Sequence, residues 1–224
     1  MIGYHGTSKE CAESIIKSQK FNVDTFIIYG DCRIKSGQRM PNDFGSGIYM
    51  FLTNDCYDGI KCAKNYANTF KDVPTTVLEI NIKDDCITCI DFEDKKTMDI
   101  FNKLREKIYD RIYYNYQMSV KDSGSKKRAN LDGLFIEYLV QYKYNNQIDA
   151  VMGLSYTPSY NKQRSISNFP NGKEICFGMA TVFLTNFIRC RTSFRMLFRL
   201  SLTMSLLGCD DLRQELTVKV RLPR

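Results

Sequence analysis

Four short segments of the sequence carry side chains suited to ligand binding, and the first contains the chain's single histidine. This histidine, His5, is followed by Gly6. A neutral imidazole donates through one ring nitrogen and accepts through the other, so His5 is suited to a ligand that carries hydroxyl groups. Gly6 lacks a side chain and would let a ligand approach the backbone closely. Taken alone, a single histidine is more often a structural residue than a ligand-binding one.

The second and third segments each carry a tyrosine. Tyr49 directly follows the glycine-rich stretch 45–48, and Tyr66 lies in a segment with helical spacing. A flat aromatic ring can stack on a planar or cationic ligand. Either tyrosine could instead be a core residue, and the helical spacing alone explains Tyr66. The glycine-rich turn before Tyr49 has no explanation in packing, which favours a functional role for Tyr49.

The fourth segment, 173–178, begins a late apolar stretch and contains Glu174. A carboxylate at a strand end can stabilise positive charge that develops on a bound substrate. A second acid, Glu79, lies on the polar face of the alternating segment 75–82 and is the rival candidate for this role.

The rest of the chain supplies the elements that must position these residues. Apolar residues at helical spacing predict four helices, over 9–20, 56–70, 95–118 and 131–144. Segments of strand composition predict six strands, over 1–5, 47–53, 75–82, 86–92, 148–156 and 173–178. Ser8 is expected to cap the first helix, and the first strand is expected to stop at Gly6. These elements predict an α+β fold.

Composition is that of a globular protein. The chain has 224 residues, of which 43% are hydrophobic, and nine cysteines, an odd number. No basic stretch followed by an apolar run begins the sequence, so we expect no secretion signal, reduced cysteines and a cytoplasmic location. Cys86 and Cys89 form one isolated CxxC pair, which two strand residues explain better than zinc does. We therefore expect no metal.

Positive charge is concentrated at the C-terminal end. Residues 179–224 contain 8 Lys and Arg against 3 Asp and Glu, whereas residues 1–178 contain 24 against 22. Within this basic tail, the segment 180–208 is strongly apolar but contains four arginines, which argues against a membrane span. We expect the tail to dock on the preceding domain. A partner or antitoxin bound to the tail, an interaction with nucleic acid, and an amphipathic anchor on a membrane surface are the alternatives.

In their order along the chain, the segments YHGT (4–7), GSGIY (45–49), NYA (65–67) and KEICF (173–177) resemble the ADP-ribosyltransferase superfamily. The resemblance is to the His-Tyr-Glu branch, which includes diphtheria toxin and the poly(ADP-ribose) polymerases, and to its small bacterial and phage-defence members. It implies a catalytic domain over 1–178, in which two small sheets form a split surrounded by helices. It does not extend to residues 179–224.

The resemblance also implies NAD+ as co-substrate and a role for each matching residue. In this family positive charge builds on the ribose as the bond to nicotinamide breaks, and a glutamate, here Glu174, stabilises it. The remaining implied roles are a ribose contact for His5, a carboxamide contact for the backbone of Gly6, an adenosine contact for Thr7, and nicotinamide stacking for Tyr49 and Tyr66. His5, Tyr49 and Glu174 would be the catalytic set.

The function implied is transfer of a single ADP-ribose from NAD+ to a macromolecule, either protein or nucleic acid, as in a toxin or defence effector. Arginine-modifying members tend to carry an acid two residues before the catalytic glutamate, and this chain has Gly172 there. Arginine is therefore a poor candidate for the acceptor. The alternatives are an NAD+ glycohydrolase, in which water is the acceptor, a non-catalytic relative that binds a ligand or partner, and a simple nucleic-acid-binding protein.

Overall fold

The structure, a computed structural model, describes residues 1–82, 87–123, 131–156, 170–178 and 189–190. Its described strands form one seven-stranded sheet in the order β4-β5-β6-β2-β1-β3-β7. All neighbouring strands are antiparallel except β4 and β5, which are parallel. The predicted α+β class is confirmed. The strands form a single hydrogen-bonded sheet, however, and not the two separate small sheets that the resemblance implies.

The first half of the chain supplies the centre of the sheet and two helices. These elements are β1 (Ile2–Ser8), α1 (Lys9–Ser18), β2 (Ile48–Leu52), α2 (Gly59–Phe70) and β3 (Thr75–Asn81). Strand β1 runs beyond its predicted end at Gly6, because pairing with β3 continues as far as Ser8. Ser8 caps α1 as predicted, and its hydroxyl accepts a hydrogen bond from the backbone of Cys11 at 3.2 Å.

The second half supplies one end of the sheet and the longest helix. Its elements are β4 (Cys89–Asp91), α3 (Lys95–Ser123), α4 (Leu131–Tyr138), β5 (Ala150–Ser155), β6 (Gly172–Phe177) and the two-residue β7 (Arg189–Cys190). The single helix predicted over 131–144 is in fact α4 followed directly by a π-helical turn, Leu139–Lys143. None of the helices in the described part of the chain is long and apolar enough to cross a membrane.

Helices cover both faces of the sheet. On one face α1 packs on β1 and β3, over a core that includes Met50, Leu78 and Ile80. On the other face, α2 packs on β1 and β2 through Tyr4 and Phe51. Helices α3 and α4 share a separate core on this second face, a core that includes residues of β4, β5 and β6.

The face that was predicted to be polar on β3 is covered as well. Glu79 is only 5% exposed, whereas the alternating pattern placed it at the surface. Its strand position lies opposite Tyr4 on β1, which packs under α2. The apolar spacing that predicts the first and third helices includes Cys11 and Met98 as inward-facing residues, and this is wrong, because both are exposed.

The sheet opens between β1 and β2. These two strands pair at only two positions, Gly3 with Leu52 and Tyr4 with Phe51. From His5 to Ser8, β1 pairs with β3, whereas Ile48 to Met50 of β2 pair with β6. We call this divergence the fork, and it creates a gap in the middle of an otherwise continuous sheet.

Of the tail, 179–224, the structure describes only Arg189 and Cys190. These two residues pair with Glu79 and Leu78 at the edge of β3. The other residues of the tail lie outside the described part of the chain, so docking of the tail remains a prediction.

Candidate functional site

A cleft of about 640 Å³ opens at the fork. Its walls are the end of β1 with α1, the segment 20–24, and the segment 39–49 that leads into β2. Its volume lies within the range of about 300–1,000 Å³ that small-molecule sites occupy. Six of the residues singled out from the sequence line it: His5, Gly6, Thr7, Tyr49, Tyr66 and Glu174.

His5 bridges the fork at its narrow end. Its Nδ1 lies 2.7 Å from the backbone oxygen of Tyr49, across the gap where β1 and β2 no longer pair. A carbonyl oxygen can only accept, so Nδ1 carries the proton and Nε2 is left as an acceptor in the neutral ring. The ring of Phe21 packs edge-on at 5.3 Å between centroids and fixes the imidazole plane. His5 is thus held as an oriented hydrogen-bond acceptor.

The charge state of His5 is also set by the surrounding protein. Burial lowers the pKa of the imidazole, and the positive charge of Lys71 lowers it further, against the opposing effect of the bond to Tyr49. The neutral ring is therefore the form present at pH 7. A neutral imidazole can accept a hydrogen bond from a hydroxyl, which an imidazolium cannot do.

Gly6 and Thr7 lie beside His5 where the chain is tightly packed. A Cβ added to Gly6 would lie 2.0 Å from the backbone oxygen of Ala63, so only glycine lets α2 lie this close to β1. Thr7 is buried, with 5% of its surface exposed. The requirement for glycine at position 6 thus has a packing cause of its own, besides the close ligand approach inferred from the sequence.

Tyr49 lines the cleft, and its hydroxyl is engaged by the backbone of the preceding turn. The hydroxyl donates to the backbone oxygen of Gly45 at 2.7 Å and accepts from the backbone N–H of Phe44 at 2.9 Å. Burial raises the pKa of Tyr49 well above its usual value, so the hydroxyl stays protonated. Tyr49 can therefore stack on a ligand, but its hydroxyl is committed to the glycine-rich turn.

Tyr66 enters the cleft from α2 as part of an aromatic cluster. Its ring lies 6.0 Å from that of Phe51 and 4.9 Å from that of Phe70, both tilted. These contacts account for its position as packing, while its half-buried ring still lines the cleft. Both interpretations offered by the sequence are thus compatible with its place.

Two buried acids were candidates for the catalytic carboxylate, and the structure separates them. Glu174 is on β6 and pairs with Phe51 of β2, close to the fork. It is 6% exposed and lines the cleft. Glu79 is equally buried but belongs to β3 and is not among the residues that line the cleft. On geometry Glu174 is the better candidate.

Position 172, two residues before Glu174, is tightly packed. A Cβ on Gly172 would lie 3.1 Å from the ring of Phe51 and 3.6 Å from the sulfur of Cys62. A side chain at this position would therefore require the ring of Phe51, opposite Glu174, to shift slightly.

Several residues of the cleft were not predicted from the sequence. Three exposed cations, Lys20, Arg39 and Lys71, line it together with Asp24 and Glu174. Scattered single lysines and arginines carry no sequence signal. Glu137, which contacts the turn behind Tyr49, did carry one, because it is an isolated acid within the apolar stretch 134–140.

Of the isolated cysteine pair, the structure describes only Cys89. Burial raises the pKa of its thiol to about 11. In the part of the chain that the structure describes, no three His, Cys, Asp or Glu side chains come together as metal ligands would.

Comparisons with protein-family models, with curated proteins and with solved structures found no match to this chain.

Proposed function

We propose that the cleft binds NAD+ and that the protein transfers ADP-ribose from it to a macromolecule. The observation that carries this proposal is that His5, Tyr49 and Glu174, far apart in sequence, line one cleft together with Gly6, Thr7 and Tyr66. Their types, their order along the chain and their convergence are those of the His-Tyr-Glu ADP-ribosyltransferases that the sequence resembles.

Each side chain suits the role proposed for it. His5, held neutral with Nε2 as an acceptor, would accept a hydrogen bond from a ribose hydroxyl. The rings of Tyr49 and Tyr66 would pack on the cationic nicotinamide, which gains from a flat aromatic partner. Lys20, Arg39 and Lys71 give the rim positive charge that favours the pyrophosphate.

In the proposed reaction the bond between C1′ of the ribose and the nicotinamide nitrogen breaks, and its electron pair leaves with nicotinamide. An oxygen or nitrogen of the acceptor forms the new bond to C1′ and loses its proton to solvent. Glu174 would accept a hydrogen bond from the ribose 2′-hydroxyl and stabilise the positive charge that grows on the ribose. This interaction strengthens in the transition state, so it would accelerate the reaction.

The decisive experiment compares Glu174→Gln with Glu79→Gln, a matched change at the other buried carboxylate. Purified protein is incubated with NAD+ labelled in the adenine ring and with cell lysate, and both free nicotinamide and macromolecular label are measured. We expect Glu174→Gln to lower nicotinamide release by roughly 10²-fold or more with little change in NAD+ binding. We expect Glu79→Gln to retain the wild-type rate.

The pattern of products separates the alternatives. Label that becomes sensitive to nuclease or to protease identifies a nucleic-acid or a protein acceptor. Nicotinamide release without macromolecular label would indicate a glycohydrolase, and binding without release a non-catalytic relative. If the wild-type protein does not bind NAD+, or if Glu79→Gln alone abolishes release, the proposal is wrong.

A further inference from the structure

A second buried carboxylate, that of Glu137, lies directly behind the cleft. Glu137 belongs to α4 and is only 9% exposed. Its Oε1 accepts a hydrogen bond from the backbone N–H of Ser46, and its Oε2 accepts one from Nε2 of Gln141 at 2.9 Å. Gln141 in turn donates to the backbone oxygen of Phe26 at 3.1 Å. The carboxylate therefore connects α4 to the glycine-rich turn 45–47.

The turn is packed too closely against α4 to move independently of it. Gly45 has a φ of 95°, and a Cβ there would lie 2.8 Å from Oε1 of Glu137. A Cβ on Gly133 would lie 1.9 Å from the backbone oxygen of Asn42, so α4 is also in direct contact with the residue that begins the turn. These contacts require glycine on both sides and leave Glu137 at the interface.

The same turn forms part of the wall of the cleft. Ser46 lines the cleft on one side and, on the other, a second cavity of about 500 Å³ that Glu137 also lines. The hydroxyl of Tyr49 is bonded to the turn through Gly45 and Phe44. A continuous series of hydrogen bonds thus runs from Glu137 through the turn to the tyrosine that faces the ligand.

Burial of a carboxylate is costly because it removes the charged form from water. Burial raises the pKa of Glu137 to about 6, while the hydrogen bonds from Ser46 and Gln141 oppose that rise. Glu137 is therefore still ionised at pH 7. A backbone N–H that donates to an ionised acceptor makes a stronger bond than one that donates to a neutral acceptor.

We infer that Glu137 is a positioning residue of the cleft: it fixes the turn 45–47 from behind and thereby sets the position of the Tyr49 ring against the ligand. The inference rests on the proposed function insofar as that ligand is NAD+. The turn itself can be tested without any ligand.

Three variants distinguish the hydrogen-bond acceptor that Glu137 offers to Ser46 from the charge and from the size of the Glu137 side chain. Glu137→Leu retains approximate size without an acceptor, Glu137→Asp retains the charge but withdraws it by one methylene, and Glu137→Gln retains an acceptor oxygen at the same reach. The matched control is Glu79→Gln, at a carboxylate that is equally buried but distant from the turn. If Glu137→Leu does not fold, Glu137→Asp makes the same test.

Two measurements are made on each variant: amide hydrogen exchange at Ser46 by NMR and the dissociation constant for NAD+. We expect Glu137→Leu and Glu137→Asp to accelerate exchange at Ser46 roughly tenfold or more relative to the amides of β3, because the Ser46 N–H loses its acceptor. We expect both variants to weaken NAD+ binding by about tenfold. Glu137→Gln, which keeps one acceptor oxygen but not the charge, should restore both in part, and Glu79→Gln should alter neither.

The possible outcomes are distinguishable. Unchanged exchange at Ser46 in both Glu137→Leu and Glu137→Asp would overturn the inference whatever the cleft binds. Faster exchange with unchanged NAD+ affinity would also overturn it, because the turn would then not position the ring. If the wild-type protein binds no NAD+, the proposed function and the ligand part of the inference both fail, and exchange alone decides whether Glu137 fixes the turn.

Discussion

Tyr49 combines two roles, because its hydroxyl holds the glycine-rich turn and its ring is proposed to contact the ligand. Removing the hydroxyl while retaining the ring separates these roles. In Tyr49→Phe the backbone oxygen of Gly45 and the backbone N–H of Phe44 lose their partner, at 2.7 and 2.9 Å respectively. Each such hydrogen bond contributes about 1 kcal/mol net to folding, so the free energy of unfolding should fall by about 2 kcal/mol. For a chain of this size that is a decrease of about 4–8 °C in the melting temperature.

Binding should respond differently from stability. If Tyr49 acts through its ring, Tyr49→Phe, which keeps the ring but loses its bonds to the turn, should weaken NAD+ binding by about tenfold, as Glu137→Leu does, at a temperature where both proteins are folded. Tyr49→Leu, which retains apolar volume but removes the ring, should weaken binding by about a further tenfold, since aromatic contacts with a cation contribute about 1 kcal/mol or more. Calorimetric titration and thermal melts of the same preparations measure the two quantities.

Either of two results would refute this account of Tyr49. A wild-type melting temperature for Tyr49→Phe would mean that the hydroxyl does not stabilise the turn. Equal weakening of NAD+ binding by Tyr49→Phe and Tyr49→Leu would mean that the ring itself makes no contact with the ligand.

Three further predictions concern the surroundings of the cleft. Burial lowers the pKa of His5 in the folded protein, so His5 stays neutral at pH values where the imidazole of the unfolded chain, with a pKa of about 6.5, is protonated; stability should therefore fall below about pH 6.5, whereas NAD+ affinity should stay constant until the pH falls below the lowered pKa of the folded protein, and His5→Gln should abolish most of both dependences in melts and titrations at several pH values. Gly6→Ala should destabilise the fold by at least about 1–3 kcal/mol in denaturant melts because its Cβ would meet Ala63, whereas Gly178→Ala, whose nearest neighbour is 4.0 Å away, should be nearly neutral. Truncation after Gly178 removes the strand that pairs with β3 and should abolish the cooperative melt, and a soluble, fully active product would contradict this.

The elements were largely predictable because their sequence patterns are local. Apolar periodicity located α1, α2 and the central strands to within a few residues, and the hydroxyl of Ser8 marked the start of α1. The pattern misjudged β1, which extends through Ser8, because the end of a strand depends on the length of its partner β3 and not on its own residues. It also placed Glu79 in solvent, since alternation cannot show that a helix will cover the polar face.

The site was predictable only in part. The resemblance selected residues that the fold does bring to one cleft, but no local pattern could indicate that they meet at a fork in a single sheet. Phe21 and Lys71 were not predicted for the same reason. Phe21 follows α1 and Lys71 follows α2, and each comes near His5 only because the chain folds back towards β1. Glu137 offered a signal that was not used, an acid surrounded by apolar residues, for which burial with a specific partner is the ordinary explanation.

At the fork, the stability of the fold and the binding of a ligand depend on the same residue, His5. Where β1 and β2 separate, backbone pairing is lost, and the bond from His5 to the oxygen of Tyr49 crosses the gap in its place. One imidazole nitrogen thus maintains the width of the cleft while the other is left for a ligand. A substitution at His5 must therefore alter both stability and binding, whereas we expect Glu174→Gln, which keeps the shape of the side chain, to alter the reaction while the cleft stays intact. Comparing the melts and the NAD+ affinities of His5→Gln and Glu174→Gln tests this difference directly. A His5→Gln variant that melts as the wild type does would show that the fork is maintained by the rest of the sheet.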